Sequence, residues 1–288
     1  MKFAHLHVTG SPGPRLAVVD GERAAFLDEF LTDAPAILQE LIERGPDELA
    51  RVRTSAELCS QWHPLDSLRF DSAVLRPPHI LAIGANYAAH SDELKLKTGS
   101  AMTIFGLWPN SLTGHQATTR WRSETTTQVD YEAELGVIIG RDVPIGVKAA
   151  DALSYVWGYT AVNDITARDI QFSEAQWSRC KSFDGFTPTG PVVVTADEIP
   201  DPQSLWLTCV LDGKILQDGR TADMIRPVAE IIATIAHTST IPAGTLISTG
   251  SPGGAGYSRD PQIFMRDGSV VTVTVQGIGS LTTYCQVV

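Results

Sequence analysis

VDYEAELGVII, residues 129–139, alternates apolar and polar side chains over most of its length. A period of two predicts a β-strand, in which Glu132 and Glu134 lie on the same face with their Cα atoms roughly 6.8 Å apart. Two carboxylates held side by side among apolar neighbours repel each other and lose hydration, and a cation between them removes both costs. The stretch therefore indicates a metal site on a strand, although a solvent-facing edge strand is an alternative for this stretch alone.

The segment GYTAVNDITARDIQ, residues 158–171, predicts a second strand that ends near Asp164. Thr166 is a candidate N-cap for a short helix that follows. At spacings of four and three residues, Asp164, Arg168 and Gln171 then point in roughly the same direction. A third carboxylate beside a cation and an amide donor favours a binding site, while a simple capping role for Asp164 remains open.

The composition of the 288 residues is that of a globular protein, with 43% hydrophobic residues, 19% charged residues and a formal net charge of −11. This apolar content predicts a packed core rather than disorder. The acidic balance argues against binding to the phosphate backbone of nucleic acids. An anionic small-molecule substrate would need a metal ion or a local group of cations.

The sequence contains no apolar run of the roughly 20 residues that a membrane helix requires. Its N-terminus also lacks the apolar centre of a secretory signal. The four cysteines, at positions 59, 180, 209 and 285, show no CxxC spacing, which argues against a zinc ribbon or a disulfide scaffold. We therefore expect a soluble protein of the reducing cytoplasm with no membrane partner.

Two parts are predicted along the chain: a small N-terminal α/β domain over residues 1–70 and a catalytic domain over residues 71–288. A polar, proline-containing segment at residues 62–78 is interpreted as the linker between them. In the first part, Asp20-Gly21 lies between two apolar runs and predicts a hairpin. In the second part strands predominate and few regular βαβ units occur, which indicates a mixed α/β, strand-rich fold.

Two further segments of the catalytic part have clear local signals. HILAIGANY, residues 79–87, predicts a strand that turns at Gly84 into a helix capped by Asn86. Farther along the chain, apolar residues at helical spacing predict an amphipathic helix that starts near a proline; they are Val228, Ile231, Ile232 and Ile235.

Five ordered motifs resemble those of the fumarylacetoacetate hydrolase superfamily; they are GANYAAHSDE (84–93), VDYEAELGVIIGRD (129–142), NDITARDIQ (163–171), KSFDGFTPTGP (181–191) and TLISTGSPGG (245–254). The resemblance runs from about Pro78 to the C-terminus. It implies a mixed β-roll-like catalytic domain, usually in a homodimer, with Mg²⁺ or Mn²⁺ held by three carboxylates. In this chain those carboxylates are Glu132, Glu134 and Asp164.

The resemblance also implies a general base. His90 and Glu93 lie three residues apart on the predicted helix, hence on one face, a spacing that a simple surface pair would share. By resemblance, His90 is the base that activates water and Glu93 is the carboxylate that orients it. Lys181 is implied as a catalytic cation.

Substrate contacts are predicted at four further positions. Arg168 can supply positive charge for an anionic substrate, and by resemblance Gln171 adds a polar contact. Thr249 and Gly250, in the glycine-rich motif after a predicted strand, are implied to line the pocket. That motif alone is a weak signal, because it lacks the ending of a phosphate-binding loop.

The leading functional prediction is a hydrolase that cleaves a carbon–carbon bond in a β-diketone or an acylpyruvate-type oxo acid. Decarboxylation or tautomerisation of a dioxo acid is the first alternative, and a non-catalytic metabolite-binding protein is the second. A resemblance in fold does not choose among them, because function depends on the site.

Two positions depart from the family pattern. Ser251 stands where threonine is common, and Leu107 stands where many members carry a lysine. Leucine removes a cation and adds apolar surface, so we predict a preference for substrates with one carboxylate and a bulky apolar group over short diacids. The alternative is that Leu107 faces away from the site.

Overall fold

The chain folds into two large β-sheets and several short helices. The computed structural model describes residues 1–8, 10, 12–93 and 101–288. The strands are β1 (Lys2–His7), β2 (Arg15–Asp20), β3 (Arg23–Phe26), β4 (His63–Pro64), β5 (Arg69–Phe70), β6 (Ile80–Gly84), β7 (Thr103–Gly106), β8 (Leu112–Thr113), β9 (Ala117–Trp121), β10 (Val129–Asp130), β11 (Ala133–Ile139), β12 (Val156–Asn163), β13 (Thr166–Ala167), β14 (Thr187–Thr195), β15 (Trp206–Leu211), β16 (Lys214–Arg220), β17 (Leu246–Ser248), β18 (Val270–Val275) and β19 (Gly279–Val287). The helices are α1 (Leu27–Phe30), α2 (Leu38–Glu43), α3 (Pro46–Glu57), α4 (Ala88–Glu93), α5 (Ala149–Ala152), α6 (Arg168–Ser173), α7 (Ser178–Lys181) and α8 (Val228–Ile235). None of the described helices is long and apolar enough to cross a membrane.

The larger sheet contains twelve strands: ten follow the order β4-β3-β2-β1-β14-β12-β11-β17-β6-β7, while β5 pairs with β1 and β8 pairs with β14 beside this path. Every residue of β11 is buried, because apolar clusters cover both faces of this central strand. Leu135 and Val137 belong to one cluster, whereas Ile138 shares the other with Val162 of β12. A polar residue in such a strand has no bulk water beside it, so Glu134 needs partners from the protein or a bound ion.

The smaller sheet has five strands in the order β16-β15-β18-β19-β9. Along β18, the side chains of Val271, Val273 and Val275 are buried while those between them are more exposed. These three valines join Leu135 and Val137 of β11 in one apolar cluster. The two sheets therefore share a core, and the predicted strand-rich mixed α/β fold is confirmed.

The first 70 residues extend the larger sheet instead of standing apart from it. β1 pairs with β14 in antiparallel fashion, with Lys2 opposite Val194, and β2 and β3 follow as the hairpin predicted at Asp20-Gly21. Part of the predicted linker is strand, because β4 and β5 pair with β3 and β1 and so satisfy their backbone groups. The division at residue 70 remains a prediction, and the two parts share one sheet.

Local patterns predict some elements correctly and others incorrectly. Helix α8 follows the expected proline and buries all four predicted residues, Val228, Ile231, Ile232 and Ile235. The two predicted helix caps are wrong. The Asn86 side chain binds backbone groups that precede α8 and follow β17, and Thr166 lies in β13 opposite Asp130 while α6 begins at Arg168. The partners of the Asn86 side chain are distant in sequence, whereas the Thr166 hydroxyl donates to the nearby Asp164 carbonyl at 2.9 Å.

Candidate active site

Glu132 and Asp164 meet at an interruption of a predicted strand. The strand expected over residues 129–139 breaks at Tyr131-Glu132, because β10 pairs with β13 whereas β11 pairs with β12 and β17. The backbone N–H of Asp164 donates to the Glu132 carbonyl at 2.9 Å, and the Glu132 N–H donates to the Asn163 side-chain oxygen at 3.0 Å. These two bonds place the third carboxylate of the site beside the first.

Glu132, Glu134 and Asp164 form a buried carboxylate group in which one oxygen from each residue lies within 4.8 Å of the others. Burial raises the pKa of Glu134 well above its usual range, and the charges of Asp164 and Glu132 raise it further. Among the described residues, Oδ1 of Asp164 is buried and has no hydrogen-bond partner. A divalent cation with oxygen ligands would relieve both the repulsion and the unpartnered oxygen, so these residues fit such an ion.

Glu134 is held by the residues at the end of β17. Its Oε2 accepts hydrogen bonds from Ser248 Oγ at 2.5 Å and from the Gly250 N–H at 2.7 Å. Gly250 has a φ of +96°, and a Cβ at this position would lie 2.7 Å from Cβ of Asn86. Only glycine fits there without strain, so the glycine-rich motif serves to fix a carboxylate of the site.

Two buried cations balance these carboxylates. Lys181 Nζ donates to Glu132 Oε2 at 2.7 Å and also contacts Asp164 Oδ2, while Arg168 Nη2 lies 2.8 Å from Glu132 Oε1. Burial opposes the charge of Glu132, but Lys181 and Arg168 outweigh it and hold the pKa of Glu132 well below its usual range. Arg168 is fully buried behind Glu132 and does not line the cavity described below, so its predicted contact with substrate remains a prediction.

Asp130 belongs to the same centre and was missed by the sequence analysis. Its carboxylate accepts a hydrogen bond from Arg168 Nε at 2.8 Å and three more from backbone N–H groups, those of Tyr131, Gly256 and Tyr257. With Asp130 included, four carboxylates surround two cations, and one divalent ion would balance the remaining formal charge. The available signal was its place in the same polar alternation as the two glutamates.

The amide orientation of Gln171 is set by Arg168. Arg168 Nη1 donates to Gln171 Oε1 at 2.9 Å, and a guanidinium group can only donate. The NH₂ group of Gln171 is therefore the end left for a ligand. Because Gln171 lines the cavity beside the carboxylates, this orientation suits the predicted polar contact with an anionic substrate.

His90 and Glu93 both lie on α4, but within the described part of the chain no hydrogen bond joins their side chains. The Glu93 carboxylate accepts from the Gly254 N–H at 2.7 Å and from Ser258 Oγ at 3.1 Å. Nε2 of His90 lies 3.4 Å from Glu132 Oε1, and Nδ1 of His90 has no partner among the described residues. The expected His90–Glu93 pair is therefore not formed among the described residues. Glu132 is the carboxylate next to the His90 imidazole, and Glu93 connects α4 to the glycine-rich loop through hydrogen bonds.

A small cavity borders the carboxylate group. Besides the three carboxylates, its polar lining comprises His90, Gln171, Lys181 and Ser251. Its apolar lining comprises Ile83, Ala85, Phe105 and Trp177. A cavity with charged and apolar parts next to buried, perturbed carboxylates is typical of an active site.

Besides Arg168 and Glu93, three residues discussed from the sequence lie outside the described lining of this cavity. Thr249 is buried and donates through Oγ1 to the Leu135 carbonyl at 2.8 Å, and Gly250 binds Glu134 as described above. Leu107 is 5% exposed and packs in the apolar cluster that contains Ile138. Substrate contacts of Thr249 and Gly250 remain predictions, whereas the argument based on Leu107 loses its geometric support.

Comparisons with known proteins identify relatives of most of the chain. The sequence profile described as "Fumarylacetoacetate (FAA) hydrolase C-terminal" matches residues 79–287. An uncharacterized protein of Staphylococcus epidermidis is 39% identical over 214 residues, which cover 73% of this chain and 69% of that protein. Residues 79–287, the region that the profile matches, contain every residue of the site described above.

Solved structures extend the similarity to the whole chain. A fumarylacetoacetate hydrolase of Exiguobacterium antarcticum superposes with a TM-score of 0.87 at 31% identity, covering 100% of both chains. A 2-hydroxyhepta-2,4-diene-1,7-dioate isomerase of Mycobacterium marinum superposes with a TM-score of 0.76 at 28% identity, covering 100% of this chain and 98% of the other.

Proposed function

We propose that this chain, which belongs to the fumarylacetoacetate hydrolase family, is a divalent-metal-dependent hydrolase. It would cleave a carbon–carbon bond in an acylpyruvate or a related β-diketone acid. Members of this family are enzymes, with hydrolases and isomerases among them. The observation that carries the proposal is the buried group of Glu132, Glu134 and Asp164 beside a cavity. These three residues would hold Mg²⁺ or Mn²⁺. The chemistry that such an ion supplies is Lewis-acid polarisation of a carbonyl oxygen.

Substrate binding is supported by donors on the polar side of the cavity. The NH₂ group of Gln171 is turned away from Arg168 and can donate to a carboxylate or keto oxygen. Oγ of Ser251 accepts from Gln217 Nε2 at 2.8 Å, which leaves the hydroxyl proton of Ser251 for a second bond to the substrate. Lys181 adds the positive charge that an anionic substrate requires in a strongly acidic protein.

Proton transfer is assigned to His90. Its Nδ1 is buried without a partner among the described residues and its ring lines the cavity, so a neutral imidazole can accept a proton from a bound water. The hydroxyl of that water would add to the distal carbonyl carbon. The bond from this carbon to the methylene then breaks, the methylene carbon keeps the electron pair, and it takes a proton to give pyruvate and a carboxylic acid.

Isomerisation or decarboxylation of a dioxo acid is the second candidate function. One observation favours it: the His90–Glu93 contact expected for water activation is not formed among the described residues. Either reaction would use the same carboxylates and the same cavity without attack by water.

Product analysis tests the proposal. The protein is stripped with EDTA, reloaded with Mg²⁺ or Mn²⁺, and assayed with a panel of acylpyruvates and with oxaloacetate. From the acylpyruvates we expect pyruvate and the matching acid in equal amounts, from oxaloacetate no release of CO₂, and in EDTA no turnover. His90→Ala should lower the rate by about 10²–10⁴-fold with near-normal metal affinity. The exposed His237 provides the control His237→Ala, which should behave as the unaltered protein.

The outcomes separate the candidates. Release of CO₂ or formation of an isomer without cleavage of the acyl group would select the second candidate. Full hydrolysis in excess EDTA would overturn the metal-dependent mechanism.

A further inference from the structure

The cavity beside the carboxylates has two chemically different walls. Lys181 marks the point where they meet, because its Nζ binds Glu132 and lies 5.5 Å from the centre of the Phe105 ring. Beyond this point the lining is apolar, and Phe105 and Trp177 contribute its aromatic part. A substrate that reaches the carboxylates with its oxo-acid end would place its other end against these rings.

Packing within the fold holds the aromatic wall, formed by Phe105 and Trp177, in place. The rings of Phe105 and Trp177 lie 5.5 Å apart at 74°, an edge-to-face arrangement that aromatic side chains favour. The Trp177 ring also packs directly on Gly84, where a Cβ would lie only 2.2 Å from Cζ3 of the indole. Glycine at the end of β6 therefore makes room for the tryptophan, and Phe105 on β7 holds it from another side.

The charges of the described lining do not provide for a second carboxylate on the substrate. Lys181 is the permanent cation of this lining within the described residues, and it is already bound to Glu132 and Asp164. Arg168 is fully buried and bound to Asp130, Glu132 and Gln171. A carboxylate at the distal end of a substrate would lose its hydration against aromatic carbon without gaining a partner among the described residues of the lining.

We infer that Phe105 and Trp177 form a specificity subsite for an apolar, preferably aromatic, distal group, so that the preferred substrates are 2-oxo acids with a single carboxylate. This inference rests on the proposed function. It moves the substrate preference from Leu107, which is packed in the core, to two residues that border the cavity.

Binding of three inert probes to the metal-loaded protein, measured by titration calorimetry, tests the inference. Oxalate carries the chelating end alone, phenylpyruvate adds an aromatic group, and 2-oxoglutarate adds a second carboxylate. We expect phenylpyruvate to bind at least about 10-fold more tightly than 2-oxoglutarate. Trp177→Ala should weaken phenylpyruvate about 10-fold and leave oxalate within about twofold, whereas Trp177→Phe should retain most of the affinity.

The control is Trp206→Ala, because Trp206 lies on β15 of the smaller sheet, is 43% exposed and is outside the cavity lining. Phe105→Leu provides a second variant of the subsite should Trp177→Ala fold poorly. Tighter binding of 2-oxoglutarate than of phenylpyruvate, or equal losses for oxalate and phenylpyruvate in Trp177→Ala, would overturn the subsite while leaving the proposed function intact. Failure of all three probes to bind would overturn the proposed function, and the subsite with it.

Discussion

Glu134 lies in surroundings that a bound cation would change. Its Oε2 is held by Ser248 and Gly250, and its pKa is raised by burial and by the charges of Asp164 and Glu132. We expect Glu134→Gln to preserve the fold, because the amide oxygen can accept the same two hydrogen bonds. The affinity for Mn²⁺ should fall by more than about 100-fold, the upper range for residues that only support metal ligands. Calorimetric titration of the metal-free protein with Mn²⁺ measures the change.

A matched control for this variant is Glu124→Gln. The Glu124 side chain is 65% exposed and pairs with Arg122 at the surface, so the affinity should stay unchanged. Unaltered Mn²⁺ binding in Glu134→Gln would remove Glu134 from the metal site.

Lys181 is one of the two buried cations that balance the carboxylates of the metal-free site. Burial alone would lower the pKa of Lys181, but Asp164 and Glu132 outweigh burial and raise it, so the ammonium group stays charged. Lys181→Met leaves buried carboxylates without this partner, and the free energy of unfolding in EDTA should fall by about 3–5 kcal/mol. Added Mn²⁺ should stabilise the variant more than the unaltered protein, because the ion replaces part of the lost charge.

Denaturant unfolding followed by circular dichroism measures both effects. Lys148→Met, at an exposed position, serves as the control and should leave the free energy of unfolding within about 0.5 kcal/mol. Equal stability of Lys181→Met and the unaltered protein in EDTA would show that the contacts of Lys181 with Glu132 and Asp164 do not stabilise the metal-free site.

His5 on β1 links two other segments of the chain. It lies on β1, its Nδ1 is 3.1 Å from the Ser72 carbonyl after β5, and its Nε2 is 3.1 Å from the backbone nitrogen of Leu38 at the start of α2. Because the Leu38 N–H donates, Nε2 must accept and the ring proton must be on Nδ1. The bond at Nε2 requires the neutral imidazole, whereas Nδ1–H can donate to Ser72 in either protonation state. Burial lowers the pKa of His5 to about 4, against an opposing contribution from the hydrogen bond to Ser72.

This pKa predicts a pH dependence of stability. Between the ordinary histidine value of about 6.5 and the folded value of about 4, the unfolded chain binds a proton that the folded protein does not. The contribution of neutral His5 to the free energy of unfolding is therefore fully present above pH 6.5. It should be lost as the pH falls through this range, which lowers the free energy of unfolding by up to about 3 kcal/mol.

His5→Gln tests the origin of this decrease, because glutamine offers a donor and an acceptor but does not titrate in this range. The difference in unfolding free energy between the two proteins should shrink as the pH falls from 7 toward 4. His7, which lies in the same strand as His5 and contacts the Asp71 carboxylate, gives the companion control His7→Gln. A constant difference between His5→Gln and the unaltered protein over this range would contradict the assignment to His5.

The shared sheet predicts how the whole molecule unfolds. β1 pairs with β14, which in turn pairs with β12 beside the strand that carries Glu134. Removal of the first 70 residues would expose the edge of β14 and the apolar cluster around Phe3. We therefore expect one cooperative transition for the full chain in place of two separate transitions for residues 1–70 and 71–288.

Hydrogen exchange of backbone amides measures this expectation. The amides of β1 and β2 should open with the same free energy as those of β12 and β14. Exchange from β1 and β2 through a separate, lower-energy opening would instead support residues 1–70 as an independent domain.

Period-two alternation pointed to Glu132 and Glu134, two of the three carboxylates that the structure brings together, and a helical repeat identified α8. These signals are local, because a side chain's face on a strand or helix follows from its position in the repeat. The motif order then indicated the family, which the comparisons confirm. The same alternation contained Asp130, but nothing local distinguished it from a surface residue.

The tertiary structure decided which charges meet. Lys181 reaches Glu132 across 49 positions of sequence, and Glu93 binds Gly254 across 161, so neither contact follows from spacing along the chain. The i, i+3 spacing of His90 and Glu93 put both on one helix, yet backbone and hydroxyl donors of the glycine-rich loop bind the glutamate. Buried polar groups take whichever partners the packed chain brings within hydrogen-bond distance, and only the fold determines those partners.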